Sequence, residues 1–159
     1  MKFSACYDRT TKIISIVVCL GLLAIVASVH NLVVAGLSLL VLLVSFAWSP
    51  RGYMLDGRSV LVQRLARNAR IPLEHIQEAR KATPDDFRGC IKLFGSGGLF
   101  GYYGLFSTSK LGRCTWYMTN RSAGIVVITA GKTALFSPDQ PEEFLAALRT
   151  VSPELSLGR

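Results

Sequence analysis

Hydrophobic and polar positions divide this chain into two stretches that follow different rules. From Ile13 to Trp48 no Asp, Glu, Lys or Arg interrupts 36 residues, and the one consecutive strongly polar pair inside, His30-Asn31, splits the run into residues 13–29 and 32–48. Each half holds 17 residues, the short end of the roughly 17–25 that a helix needs to cross a bilayer. The pattern predicts a two-pass helical hairpin, stopped at Ser49-Pro50 because proline cannot continue the backbone ladder. A single helix of that length overshoots a bilayer, and a buried hairpin in a soluble protein needs more covering chain than remains. Ala24, Ala27, Ser28, Ala35 and Gly36 are small enough to let the two helices approach closely.

After Pro50 the pattern changes to short β-type runs between turn residues. Asp56-Gly57 is a hairpin signal between Gly52–Leu55 and Arg58–Leu65, since glycine supplies the positive φ that such turns demand. Cys114 to Asn120 alternates, with Cys114, Trp116 and Met118 on one face and Thr115, Tyr117 and Thr119 on the other. Ile125 to Thr129 reads as a compact strand, and Gly131-Lys132 turns the chain into Thr133 to Phe136. Pro72 to Arg80 fits either a helical turn or a strand. One amphipathic helix spans about 140 to 151: Pro141 suits its first turn, Glu142 and Glu143 its positive end and Arg149 its negative end, with Phe144, Leu145 and Leu148 as the apolar stripe. The expected architecture is a helical hairpin (13–48) followed by a mainly β sandwich or barrel (49–151) whose open end the last helix plugs. Residues 1–12 and 152–159 read as tails.

Composition adds an address. Mean hydropathy is +0.38 over 159 residues, yet residues 49–159 carry 15 basic and 9 acidic side chains. Lys2, Arg9 and Lys12 precede the first apolar run, Arg51, Arg58, Arg64 and Arg67 follow the second, and the turn between them has no cation. Lys and Arg near helix ends stay on the cytoplasmic side, so the expected location is the inner (plasma) membrane with both termini cytoplasmic. Trp48 and Tyr53 then fall at headgroup level. A cleavable signal peptide over Lys2 to Ser28 fits less well, because a second apolar run begins almost at once. Cys6, Cys19, Cys90 and Cys114 form no C-x-x-C, and with only His30 and His75 beside them they suggest neither a disulfide framework nor a metal site. No cofactor is expected.

Certain segments carry a family resemblance in their order: the apolar hairpin, the Tyr53 to Arg64 hairpin, Ile71-Pro72-Leu73-Glu74-His75-Ile76, the glycine-aromatic stretch Phe94 to Phe106, and Ser137-Pro138-Asp139 leading into Phe144. Together they resemble the bacterial pleckstrin-homology-like (PH domain) membrane proteins. The resemblance implies two packed antiparallel sheets with a C-terminal capping helix. It implies no reaction.

Motifs with possible chemistry are few. Gly95 to Gly104 superficially suggests a phosphate loop, but a G-x-G-x-x-G beginning at Gly95 has Phe100 where the last glycine belongs. Its two open readings are an aromatic loop that touches a membrane or partner, and glycines that let the backbone bend at a sheet corner. Gly131-Lys132-Thr133 lacks the first glycine of a nucleotide loop, because position 126 is Val126. His75 beside Glu74, Cys90, Cys114 and Asp85-Asp86 show no catalytic constellation. Between residues 51 and 92 nine cations face five acids. Next to a membrane, that excess is either a solvated positive-inside face or a patch that holds the domain on anionic lipid. A nucleic-acid target is disfavoured, as no reading element is present. The leading reading is a membrane-anchored, non-enzymatic binding or scaffolding module contacting anionic headgroups or a membrane-protein partner. Its candidate contacts are Arg58, Arg64, Arg67 and Arg70 with Phe100, Tyr102 and Tyr103. Self-association through exposed sheet edges and an enzyme with an unrecognised site are the rival classes.

Overall fold

Ten strands and three α-helices occupy residues 1–73 and 75–151, which are the residues that the computed structural model describes. Glu74 and the expected tail 152–159 lie outside the described residues. Helix α1 spans Arg9–Val29 and α2 spans Leu32–Trp48. The start of α1 lies four residues before the charge-free run because Asp8 caps it, its side chain accepting from the Thr11 N–H at 2.6 Å. Between the helices, His30 adopts the left-handed conformation and donates its N–H to the Val26 carbonyl, while the Asn31 side chain accepts from the Val33 N–H at 2.8 Å. Two adjacent caps thus make the expected sharp turn. Half-buried Val18, Leu22 and Val26 of α1 and Val34, Ser38 and Leu42 of α2 recur at four-residue spacing and mark the seam. Of the small residues, only Ala35 is half-buried; Ala24, Ala27, Ser28 and Gly36 are exposed, so bulkier side chains set the phase. The remaining apolar surface is bare, with Leu32 91% exposed and Leu23 63% exposed.

The first sheet has the order β1-β2-β3-β4, with β1 Lys2–Ser4, β2 Gly52–Asp56, β3 Ser59–Gln63 and β4 Ala69–Pro72, all antiparallel. Its first member corrects the reading of residues 1–12 as a tail. Phe3 pairs with Tyr53, is 7% exposed, and meets Phe144 edge-on at 5.1 Å. The N-terminal ammonium donates to the Leu55 carbonyl at 3.1 Å. A three-residue strand is too short for periodicity to reveal. Beyond β2, Asp56 still pairs with Ser59, so the turn residues are Gly57, at φ 49°, and Arg58.

The second sheet has the order β5-β9-β10-β8-β7-β6, with β5 Ile76–Lys81, β6 Ile91–Gly98, β7 Gly101–Thr108, β8 Gly112–Met118, β9 Ile125–Thr129 and β10 Thr133–Phe136. One pair departs from the antiparallel expectation: β10 runs parallel to β8, because β9 passes beyond the position that β10 then fills. The ends of β8 and β10 come together, and the Ser137 hydroxyl accepts from the Thr119 N–H at 2.8 Å. Two separate sheets result, not a closed barrel. Helix α3, Pro141–Val151, lies where its stripe and caps predict.

The main core lies between the first sheet, α3 and the β5-β9-β10 half of the second sheet. Tyr53, Val60, Val62, Ile125, Val127, Phe136, Phe144 and Leu148 have no exposed surface there. Tyr53 ties the two sheets, donating to the Tyr117 carbonyl at 2.5 Å and accepting from the Ser137 N–H at 3.1 Å. Burial pushes its pKa up to about 12. A second core covers the opposite face of the same sheet, where Trp116 stacks on Phe106 at 4.1 Å and meets Phe87 edge-on at 5.5 Å. Phe87 belongs to the 3-10 turn Pro84–Phe87, and that turn is held by Asp86. The fully buried Asp86 carboxylate accepts from both Arg80 terminal nitrogens, at 2.5 and 2.8 Å, and from the Thr83 N–H at 2.7 Å.

Two substitutions test these ties. Phe3→Ala should cost about 3–5 kcal/mol in denaturant unfolding of the detergent-solubilised chain, whereas a free tail has nothing to lose. Asp86 is held well below the usual carboxylate range, first by its bonds to Arg80. Its contribution is therefore complete above the ordinary value of about 3.9 and lost as pH falls further. Arg80→Met should cost on the order of 3–5 kcal/mol at neutral pH, and the difference from wild type should shrink below about pH 4.

Candidate functional site

Glycines decide how the sheet meets the helices. In the β6–β7 hairpin, Gly95 and Gly104 sit opposite each other at φ 113° and 122°, and a Cβ on Gly104 would lie 2.8 Å from the Gly95 Cα. The turn beyond them, through Gly98, Phe100 and Gly101, is inserted against the base of the helical hairpin. The Phe100 N–H donates to the Ser15 hydroxyl at 2.9 Å, and its carbonyl accepts from the Ser49 hydroxyl at 2.5 Å. Ser15 lies in the second turn of α1 and Ser49 follows α2 directly, so one short turn holds both helices. Phe100 meets Phe46 edge-on at 5.4 Å, and the Tyr103 hydroxyl donates to the Ser45 carbonyl at 2.6 Å. Thr11, fully buried, donates to the Thr119 carbonyl at 3.1 Å. From the β3–β4 loop the Ala66 N–H reaches the Ala47 carbonyl at 3.0 Å, satisfying an orphan group of the α2 end.

This geometry makes the glycine-aromatic stretch a joint between the second sheet and both helices. Tyr102 and Tyr103 are 3% and 6% exposed, and Phe100 is half-buried. The three do not form one exposed aromatic surface: Tyr102 packs in the second core and under the Arg121 guanidinium at 4.4 Å, Phe100 packs on Phe46, and Tyr103 lines a cleft beside α2.

The four arginines fall elsewhere. Because the first sheet covers only the β5-β9-β10 half of the second, the same face of β6-β7-β8 is left open as a groove. Its floor includes Leu105, Thr115 and Tyr117, the last two from the face of β8 opposite Trp116. Two adjoining clefts share those residues, about 840 Å³ beside α2 and about 380 Å³ beside β4 and β10. Arg64 and Lys92 line the larger cleft, Arg70, Arg113 and Lys132 the smaller, and among the described residues no Asp or Glu lines either. Arg58 in the β2–β3 turn and Arg67 in the β3–β4 loop are exposed outside it. Arg70 reaches Asp56 at 3.4 Å, but both side chains are 67% exposed and such a pair contributes little.

Arg64 stands apart from the others. Its guanidinium lies 4.8 Å above the Tyr117 ring, its Nε is buried without a hydrogen-bond partner, and among the described residues no carboxylate pairs with it. Desolvation pulls its pKa below the ordinary arginine value. Arg113 and Lys132 escaped the sequence reading. The alternation of β8 puts Arg113 on the Thr115–Tyr117 face, but nothing in the sequence tells that this face is uncovered.

Residues with reaction potential stay scattered. His75 is exposed in a turn, and Glu74, its expected neighbour, lies outside the described residues. Asp86 is committed to Arg80, and burial raises the Cys90 and Cys114 thiols. Among the described residues no three His, Cys, Asp or Glu side chains gather as a metal site would require.

Among the described residues, the two sheets and the capping helix do not bring these groups together. Residues 51–152 match the family model described as Bacterial PH domain. The chain belongs to the bacterial PH domain family. The match begins after the helices, so β1, α1 and α2 lie outside it although β1 completes the first sheet. No curated protein and no solved structure matches the chain. A PH domain of this kind points to binding without catalysis, and the groove is the feature of this one with the chemistry to bind. At the joint, Gly104→Ala should destabilise by more than about 1 kcal/mol, because the added Cβ meets backbone. Thermal melting of the solubilised chain, with Gly131→Ala as the unhindered comparison, checks this.

Proposed function

We propose that this protein is a membrane-anchored, non-enzymatic binding module, in which α1 and α2 cross the membrane as a two-pass hairpin and hold the PH domain at the cytoplasmic face. The observation that carries this reading is the pairing of β1 with β2. One strand precedes the helices and the other follows them, so the chain leaves the domain and returns to it on the same side. By length and composition α1, with 21 residues, suffices to cross a membrane, and α2 is a shorter apolar helix of 17 residues. Their outward apolar surface has no protein cover. Exposed Arg9, Lys12, Arg51 and Arg67 lie beside the domain end of the hairpin and no cation lies at the His30-Asn31 end, which supports cytoplasmic termini.

In that placement the cations serve the membrane surface. A juxtamembrane Lys or Arg contributes on the order of 1 kcal/mol toward an anionic leaflet, so Arg51 and Arg67 beside the helix ends hold the domain against it, while Arg58 and Arg70 lie further out along the first sheet, with the groove as the site of more specific contact. A membrane-protein partner with an acidic segment meets the same chemistry. Self-association is favoured by one separate observation: β6 is an edge strand that exposes Ile91 at 63%, Leu93 at 52% and Phe94 at 79%.

Reporter fusions at the N-terminus and C-terminus should both read as cytoplasmic, and reports from opposite sides would end the two-pass reading. Full-length protein in nanodiscs should capture anionic phosphatidylglycerol vesicles at low salt and release them at high salt, with little capture of phosphatidylcholine vesicles. Salt-independent capture of both would remove the electrostatic contact. A discrete oligomer in detergent that becomes monomeric on Phe94→Lys would favour assembly through β6.

A further inference from the structure

The end of the groove beside α2 differs from the rest in combining a half-buried cation, whose Nε is cut off from solvent, with an apolar wall. Val44 and Trp48 of α2 face it on one side and Phe94 and Leu99 on the other, while Arg64 and Lys92 bring positive charge. We propose that this cleft is a site for one anionic phospholipid, its phosphate held by Arg64 and Lys92 and an acyl chain leaving past Trp48 and Val44 along α2. This rests on the membrane-anchored reading and names the ligand of the groove.

Arg64 is the first ground. A guanidinium partly withdrawn from water normally finds a carboxylate, and here the described residues offer none, nor any hydrogen-bond partner for its Nε. Its Cζ lies 4.8 Å from the Tyr117 ring centroid in a cation–π contact, and the planar fork of a guanidinium suits the bidentate geometry of a phosphate. Charge gives the second ground, since among the described residues no acid lines the cleft to repel such a group. The volume of about 840 Å³ lies within the range of roughly 300–1,000 Å³ of small-molecule sites and suits a headgroup with the upper part of a chain.

Depth argues for a lipid over a soluble phosphate. Val44 lies four residues before the end of α2, inside the charge-free segment, and a helix rises about 1.5 Å per residue. A ligand that touches both Arg64 and Val44 therefore extends from the charged rim into the apolar layer, as only an amphiphile does.

Trp48 lines the cleft and is 44% exposed, whereas Trp116, the other tryptophan, has no exposed surface, so quenching reports on the cleft. The full chain in phosphatidylcholine nanodiscs is titrated with phosphatidylglycerol carrying brominated acyl chains. Saturable quenching at one lipid per chain is expected, against weak linear quenching by brominated phosphatidylcholine. Arg64→Met should weaken the affinity by at least about tenfold. Gly97→Leu should do the same while keeping Arg64, since the nearest atom to its added Cβ is Lys92 Cδ at 3.6 Å and the fold accommodates it. Arg88→Gln, exposed and remote from the cleft, removes the same charge and should leave the titration unchanged.

Linear quenching by both lipids, or undiminished affinity in folded Gly97→Leu, would overturn the proposal. So would protection of Trp48 by inorganic phosphate alone, which would make the ligand a soluble anion, or by an acidic peptide alone, which would make it a protein. If the reporters and vesicle capture behave as the anchored reading requires while the quenching stays linear, that reading stands and the lipid site falls.

Discussion

The pairing of Lys2–Ser4 with the start of β2 constrains everything else in this molecule. It fixes both ends of the apolar excursion in one sheet, so the helices form a closed loop out of the domain. Phe3 then becomes part of the core against Phe144, and α3 packs on a sheet that has its full four strands only because the N-terminus is there. The β6–β7 turn adds a second fastening from the other sheet, joining Ser15 and Ser49 through the backbone of Phe100. With two fastenings, the helices and the β domain move as one object, and the orientation of the domain follows that of the helices.

A second consequence comes from the mismatch between the sheets. Four strands cannot cover six, and the shortfall leaves the inner face of β6-β7-β8 open. An uncovered sheet face is costly when apolar, and here Thr115, Tyr117 and five cations line it together with apolar residues such as Leu105. Most of those cations reach water and are satisfied by it. Arg64 is the exception, since it is half-buried with its Nε cut off from solvent and, among the described residues, no carboxylate pairs with it.

Much of the fold was legible because it rests on local signals. The charge-free run, the His30-Asn31 break, the alternation of β8, and the caps of α3 each follow from residues close together in sequence. What was hidden depends on distant partners. β1 is recognisable only by Tyr53 and Phe144, and the parallel β8–β10 pair arises from the order in which strands find their neighbours. For the same reason the site was only half visible: the arginines announced themselves as a juxtamembrane cluster, while Arg113 and Lys132 needed the fold to bring them to Arg70. The surroundings of Tyr102 and Tyr103 were not legible, because aromatic residues beside glycines look alike in sequence whether their rings face solvent or core.

The loop closed by β1 also sets an order of events during synthesis. Strand β1 is made first but has nothing to pair with until Gly52–Asp56 has emerged, and both helices are made in the interval. At about 5–20 residues per second, the first strand waits for several seconds at the ribosome while the apolar hairpin finds its place. The domain cannot complete its first sheet before both helices have been made. A fragment beginning after the hairpin would be born without its first strand, leaving the edge of β2 and one side of Phe144 unmet.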